Sequence, residues 1–169
     1  VLVIDQDGSP HGEKHFLIYN PPFVDKKLGI RLSSMLEGTT LAGDLLDENI
    51  QTIIFGRTRR SVELILTYLR QRDPNQNPNR IRGYRSGYLP RERRAIEEGL
   101  RRGEVQSVVA TSALELGIDI GGMDASILIG YPGSIAAARQ QAGRAGRKLA
   151  PALSILVTAP NALDQYLAR

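Results

Sequence analysis

Short apolar runs alternate along the chain with stretches in which apolar residues recur every three or four positions. The short runs predict strands at KHFLIYNPP, QTIIFG, RIRGYRS, QSVVATS, ASILIGY and ALSILVTA. The longer stretches predict helices at SSMLEGTTLAGDLLDEN, RTRRSVELILTYLRQR, LPRERRAIEEGLRRGE, SIAAARQQAG and NALDQYLAR. Strands that alternate with helices in this way indicate an α/β domain, with a mostly parallel sheet flanked by helices on both faces.

The length of 169 residues predicts a single domain over residues 1–169, with residues 1–13 as a polar leading linker. Its first residues do not resemble a signal peptide, so we expect a fragment of a longer protein. No apolar run approaches the roughly 20 residues of a membrane span, and we expect a cytoplasmic protein without membrane contact. The chain has no Cys, and His11 and His15 lack an evident third ligand, so we expect no metal site.

The positive charge is concentrated in the middle of the sequence. Residues 51–102 contain 13 basic and 5 acidic side chains, and every one of the basic residues is Arg. Because the planar guanidinium group donates paired hydrogen bonds to phosphate, this composition favours a polyanionic partner. For any single Arg, the alternative of an ordinary solvated helix face stays open.

Polar residues follow several predicted strands at the point where each strand ends. Residues 57–60 follow one strand, residues 85–87 follow the next, and Thr111 and Ser112 follow the third. Ligands of parallel α/β sheets gather at the carboxyl ends of the strands, so these residues are candidates for binding the polyanion.

The sequence QQAGRAGRK, residues 140–148, places Arg144 and Arg147 three positions apart with a Gly before each. On a helix or tight turn this spacing puts both guanidinium groups on one side, where they can clamp one polyphosphate. The alternative is a helix end that Gly143 or Gly146 caps and whose last carbonyls attract the two cations.

The segment VVATSALELGIDIGG, residues 108–122, has a similar site-like character. The hydroxyls of Thr111 and Ser112 can hold a backbone phosphate, and Asp119, which follows Gly117 in a turn, can accept from a ribose hydroxyl. Helix capping by Ser112 with Glu115 is the alternative, and it is compatible with anion binding.

Taken together, these segments resemble the second RecA-like domain of superfamily 2 helicases over essentially the whole chain. TIIFGRTRRSVE resembles motif IV, VVATSALELGIDI motif V and QQAGRAGR motif VI, with GYRSGYLPRERR after motif IV. The resemblance implies that Arg144 and Arg147 are arginine fingers, that Gln140 lies near the γ-phosphate, and that Asp119, beside Gly117, contacts the ribose. It places the nucleic-acid-binding residues in the same strand-end segments: Arg57, Thr58, Arg59, Arg85, Gly87, Thr111 and Ser112.

Within that superfamily the pattern is most similar to the bacterial mitomycin-repair helicases and their RecQ-four-like relatives. This similarity implies an ATP-dependent 3′-to-5′ DNA helicase or translocase in DNA repair. The chain lacks a phosphate-binding loop, so ATP and Mg²⁺ are expected mainly on a first RecA-like domain, and the isolated fragment is expected to be inactive.

An RNA helicase domain and a non-catalytic nucleic-acid-binding module with the same fold are the alternatives that the sequence leaves open. An oxidoreductase is disfavoured, because no Gly-x-Gly-x-x-Gly follows the first strand.

Overall fold

The structure is a computed structural model that describes residues 12–73, 77–84, 90–111, 122–146 and 150–168. Its strands are β1 (Lys14–Tyr19), β2 (Phe23–Asp25), β3 (Ile30–Arg31), β4 (Thr52–Phe55), β5 (Ile81–Tyr84), β6 (Ser107–Ala110), β7 (Ala125–Ile129) and β8 (Ala152–Val157). Its helices are α1 (Ser34–Asp47), α2 (Arg59–Arg72), α3 (Pro90–Arg101), α4 (Ile135–Ala142) and α5 (Ala162–Leu167). Each element that the sequence predicts is present within the described residues.

Six of the described strands form one sheet in the order β1-β8-β7-β4-β6-β5, and every neighbouring pair is parallel. Parallel neighbours require crossover connections, and helices supply most of these connections here. The arrangement confirms the predicted α/β fold with a parallel sheet.

Two apolar clusters cover the two faces of the sheet, as the alternation of side chains along a buried strand requires. On one face, α1 and α2 pack through Leu46, Val62, Ile65, Leu66 and Leu69 among others. On the other face, α3 and α4 pack through Ile96, Leu100 and Ala138. All four residues of the central strand β4 are buried, whereas β1 at the edge of the sheet leaves Phe16, Leu17 and Ile18 exposed.

The strands β2 and β3 form a separate antiparallel hairpin that the sequence pattern did not predict. The hairpin begins directly after Pro21 and Pro22, and its strands have only three and two residues. Strands this short carry too few positions to show an alternating pattern. The carboxylate Oδ1 of Asp25 accepts from the backbone N of Lys27 and of Leu28 at 2.8 and 3.1 Å, and Gly29 has a φ of +68°, so side-chain capping and a glycine form the turn.

No helix of the described ranges is long and apolar enough to cross a membrane.

A buried ion pair joins the end of α2 to the start of β5. Nη1 of Arg80 donates to Oδ1 of Asp73 at 2.9 Å, and the Asp73 side chain is only 1% exposed. Nη2 of Arg80 also donates to the carbonyl of Leu46 and to Oδ1 of Asn49, so one guanidinium group links three segments. Loss of this group leaves a buried carboxylate without its cation, which is costly in a low-dielectric surrounding.

We therefore expect Arg80→Ala to lower the free energy of unfolding by about 3 kcal/mol, measured by urea denaturation of the chain. Arg82→Ala is the matched control, because Arg82 lies two residues further along, on β5, and its hydrogen bond within the described residues goes to the exposed Asn79. A change below about 0.5 kcal/mol is expected for the control. Equal losses in the two variants would contradict the assigned role of the buried pair.

Candidate functional site

Three of the predicted nucleic-acid-binding residues lie at the carboxyl ends of adjacent strands. Arg57 and Thr58 follow β4, and Thr111 follows β6. The backbone N of Gly56 donates to the carbonyl of Ala110 at 2.8 Å, so the two strands stay paired up to this edge. The structure thus brings residues from the predicted motifs IV and V to one edge of the sheet.

Arg57 lies across the end of β7. Gly130, directly after β7, has a φ of +81°, and a Cβ atom there would lie 3.0 Å from Cδ of Arg57. A larger residue at position 130 would therefore displace the arginine as well as strain the backbone. Arg57 also lines a pocket of about 250 Å³ with residues 129–133.

The first turn of α2 combines a helix N-terminus with exposed cations. Arg59 and Arg60 are both exposed there, and the first turn holds no acidic residue. Cations at a helix N-terminus oppose the helix dipole by about 0.3–1 kcal/mol each, so helix stability does not explain their position. With Arg57, they give this edge three exposed arginines beside a helix N-terminus, which suits a phosphate backbone.

The hydroxyl of Thr58 is engaged in capping α2. Its Oγ1 accepts from the backbone N of Ser61 at 3.1 Å, while Oγ of Ser61 accepts from the backbone N of Thr58 at 3.0 Å. This reciprocal pair is a capping box, and it fixes the direction in which the chain leaves β4. A phosphate that reaches Thr58 therefore meets a hydroxyl oxygen already held by the helix.

Tyr84 ends β5 beside this edge and is buried. Burial raises the pKa of its phenol, so the side chain is neutral at physiological pH. Tyr84 adds no negative charge to the arginine-rich edge.

The described part of the predicted motif VI, residues 140–146, lies at the amino ends of the strands, which we call the amino edge; the carboxyl ends form the carboxyl edge. The helix α4 ends at Ala142, and the chain turns through Gly143 and Arg144. The backbone N of Met123 donates to the carbonyl of Arg144 at 3.2 Å, and that of Gly146 donates to the carbonyl of Met123 at 2.8 Å. Because Met123 precedes β7, these bonds hold Arg144 at the amino ends of the strands.

The two glycines of this turn have different roles. Gly143 is the C-cap of α4 with an ordinary helical φ of −66°, whereas Gly146 has a φ of +115°, which L side chains rarely adopt. Arg144 therefore lies in a turn just beyond the helix, and Gly143 caps α4 as the alternative interpretation of this segment expected.

Gln140 is exposed on the last turn of α4, whereas its neighbour Gln141 is 4% exposed. The exposed position leaves the Gln140 side chain accessible to a ligand at this edge.

The structure also adds a cation, Lys14, that the sequence did not indicate. A Cβ atom at Gly146 would lie 3.7 Å from Nζ of Lys14, at the start of β1. Lys14 is missed by sequence reasoning because β1 reaches motif VI only through the strand order.

The two groups of predicted residues are therefore separated by the length of the sheet. The four-residue central strands span about 13 Å, which sets the scale of the gap between the two ends of the strands.

The predicted residues Arg147, Gly117, Asp119, Arg85, Gly87 and Ser112 lie outside the described residues. Within the ranges that are described, no group of three or more His, Asp or Glu side chains is placed to hold a metal ion.

Comparison with known proteins shows the family of the chain. The profile of the family described as Helicase conserved C-terminal domain matches residues 36–148, from α1 through the predicted motif VI. The chain belongs to this helicase C-terminal domain family. The predicted resemblance to superfamily 2 helicases is thereby confirmed.

Individual relatives within the helicase family are similar to this chain over nearly its whole length. The chain is 49% identical over 168 residues to the ATP-dependent helicase YprA of Bacillus subtilis, covering 99% of this chain and 22% of that protein. It is 37% identical over 172 residues to the ATP-dependent helicase hrq1 of Schizosaccharomyces pombe, covering 98% of this chain and 16% of that protein. The chain thus spans about a fifth of the length of these curated relatives.

Solved helicase structures share the fold. The chain superposes on the crystal structure of the DUF1998 helicase MrfA bound to DNA and AMPPNP with a TM-score of 0.90 and 48% sequence identity. The superposition covers 98% of this chain and 23% of the MrfA chain. The similarity confirms the predicted RecA-like fold of this helicase domain.

The capping box gives a direct test of what Thr58 does in the unliganded domain. We expect Thr58→Ala to lower the free energy of unfolding by about 1 kcal/mol, because the amide of Ser61 loses its acceptor. Thr58→Ser keeps a hydroxyl in the same place and should change stability by less than about 0.5 kcal/mol. Chemical denaturation of the three proteins measures both values, and an Ala variant as stable as the Ser variant would show that the cap is not formed.

Proposed function

We propose that the chain is the second motor domain of an ATP-dependent DNA helicase or translocase. In this proposal the carboxyl edge of the sheet binds the nucleic-acid backbone and the amino edge contributes arginines to ATP on a first motor domain. The observation that carries the proposal is the separation of Arg57, Thr58 and Thr111 from Arg144 on opposite edges of one rigid sheet. Two ligands can then be held at once by one body.

DNA is the nucleic acid that the relatives favour. MrfA, to which this chain is 48% identical, has been crystallised bound to DNA and AMPPNP. The described edge residues support backbone binding, because guanidinium groups and helix amides recognise phosphates without selecting bases. Binding should accordingly be independent of sequence and fall steeply with salt. We also propose the 3′-to-5′ polarity and the repair role that the resemblance implies.

The amino edge fits the phosphates of a nucleotide. Arg144 in the turn and Lys14 beside Gly146 provide positive charge, and Gly146 allows close approach of the backbone. ATP would supply the phosphoryl bond whose cleavage drives the motor. Mg²⁺ is placed with the first motor domain, because this sequence lacks the phosphate-binding loop that accompanies that ion.

Charge stabilisation is the chemical contribution of Arg144 in this proposal. As negative charge spreads over the transferred phosphoryl oxygens, a fixed guanidinium group is worth more there than in the ground state. The capped turn and the bonds to Met123 hold the backbone of Arg144 in place, so little reorganisation is needed when the two motor domains close. Closing and reopening of the cleft would then shift the carboxyl edge along the bound strand.

The experiment is DNA-stimulated ATP turnover of the full-length parent protein at saturating DNA and nucleotide. We expect Arg144→Ala to lower turnover about a hundredfold or more, with DNA and nucleotide still bound. Arg139→Ala is the matched control, because Arg139 is an exposed arginine on α4, five residues before Arg144, and its turnover should stay within about twofold. Unchanged turnover in Arg144→Ala would show that Arg144 has only a structural role and would favour a non-catalytic binding module.

A further inference from the structure

The β2–β3 hairpin, residues 23–32, exposes several large apolar side chains to solvent. Five large apolar residues are solvent-accessible within these ten positions: Phe23, Val24, Leu28, Ile30 and Leu32. Val24 and Leu28 are 65% and 72% exposed. Two-stranded hairpins are marginal in water, and this one pairs with no other described strand, so its exposed apolar side chains are suited to a partner rather than to a core.

The positive charge of the hairpin indicates a partner that is negatively charged. Lys26 and Lys27 lie at the turn, and Arg31 lies on the second strand. The single carboxylate of the hairpin, Asp25, is turned into the loop, where it accepts from two backbone amides. The turn therefore presents cations next to apolar side chains. Single-stranded nucleic acid offers the matching pair of surfaces, phosphates and base faces.

The hairpin is fixed rigidly to the sheet on the edge already assigned to nucleic acid. It leaves the carboxyl end of β1 after Tyr19, Asn20 and two prolines. Nη1 of Arg31 donates to the carbonyl of Pro21 at 2.7 Å, and Nε of Arg31 donates to Oε1 of Gln165 at 3.0 Å. The guanidinium carbon of Arg31 also lies 3.6 Å from the centre of the Phe23 ring. These contacts lock the base of the hairpin to α5.

A short chain of contacts joins the hairpin to Arg57. Gln165 follows Asp164, whose Oδ2 accepts from the backbone N of Tyr131 at 3.0 Å. The same carboxylate oxygen lies 3.6 Å from where a Cβ of Gly130 would stand, and Cδ of Arg57 lies 3.0 Å from that point. The base of the hairpin and Arg57 thus lie on the same carboxyl side of the sheet, linked through the buried Asp164 of α5.

We propose that the β2–β3 hairpin is a second nucleic-acid contact of this domain. Lys26 and Lys27 bind backbone phosphates, and the exposed aliphatic side chains Val24 and Leu28 pack on the bases of an unpaired strand that runs from the α2 arginines. The proposal rests on the proposed function, because it extends the same binding edge. It adds base contacts to an edge whose other residues recognise only the backbone.

The test is the affinity of the nucleotide-free full-length parent protein for a fluorescent single-stranded DNA oligonucleotide across a salt series. With Lys26→Ala and Lys27→Ala combined, we expect affinity to fall by roughly tenfold and the slope of log K against log salt to decrease in magnitude by about 1.4. With Val24→Ser and Leu28→Ser combined, affinity should fall several-fold with the salt slope unchanged, because no phosphate contact is lost.

Matched controls separate local contacts from general effects. Arg101→Ala with Arg102→Ala removes the same charge from exposed residues at and just after the end of α3, and Leu163→Ser with Leu64→Ser removes two exposed apolar side chains outside the hairpin. Neither control should change affinity by more than about twofold. Arg59→Glu tests the binding edge itself and should weaken binding about tenfold or more.

The outcomes separate the two proposals. Hairpin variants that bind like the wild type, while Arg59→Glu binds weakly, would overturn the hairpin contact and leave the proposed function standing. Unchanged binding in all variants would overturn both. A hairpin variant that keeps its DNA affinity but lowers the unfolding temperature of the full-length protein would show that the apolar face packs on a neighbouring domain, and would also overturn the proposal.

Discussion

Parallel pairing of the six-stranded sheet is the constraint on which the rest of this domain depends. Because all six strands point the same way, every strand end of one kind lies on one edge. Residues far apart in sequence, such as Arg57 and Thr111, meet at the carboxyl edge, while Lys14, Met123 and Arg144 meet at the amino edge. The buried side chains of β4 and its neighbours make this arrangement rigid, so the spacing between the two edges is set by strand length.

Several local features oppose stability where the site requires it. Arg59 and Arg60 occupy the first turn of a helix, where the dipole disfavours cations, and Gly146 adopts a φ that other residues avoid. Elsewhere the structure offsets these costs. The Thr58 capping box fixes the start of α2, the Asp73–Arg80 pair fixes its end, and the apolar face of α2 is buried on the sheet. The candidate site residues lie at the ends of elements whose middles supply the stability.

Most of the fold could be predicted from sequence, because the strands are buried on both sides and the helices show one apolar face. Val62, Ile65, Leu66 and Leu69 illustrate this, since they recur at helical spacing in the predicted helix and all four are buried against the sheet. The strand order could not be predicted, because it depends on crossovers between distant segments. For that reason the separation of the two edges and the position of Lys14 beside Gly146 came only from the structure.

The parts of the candidate site that lie in recognisable sequence motifs could be predicted, and the part without a motif could not. Arg144 and the residues after β4 were predicted from their sequence context, and the family match covers these positions. The β2–β3 hairpin was missed, although Asp25 and Gly29 flank a Lys-Lys-Leu stretch typical of a turn. Its strands are too short for periodicity to show, and two prolines before them suggested only that a strand had ended.

The central claim is that the two edges of the sheet bind different ligands. The most direct measurement compares Arg57→Glu and Arg144→Glu in the full-length parent protein, through the affinity for single-stranded DNA in the absence of nucleotide. Both variants carry the same change in charge, and only their edge differs. The account predicts that Arg57→Glu weakens binding about tenfold or more, whereas Arg144→Glu stays within about twofold of the wild type. Equal losses in the two variants would contradict the separation of the sites.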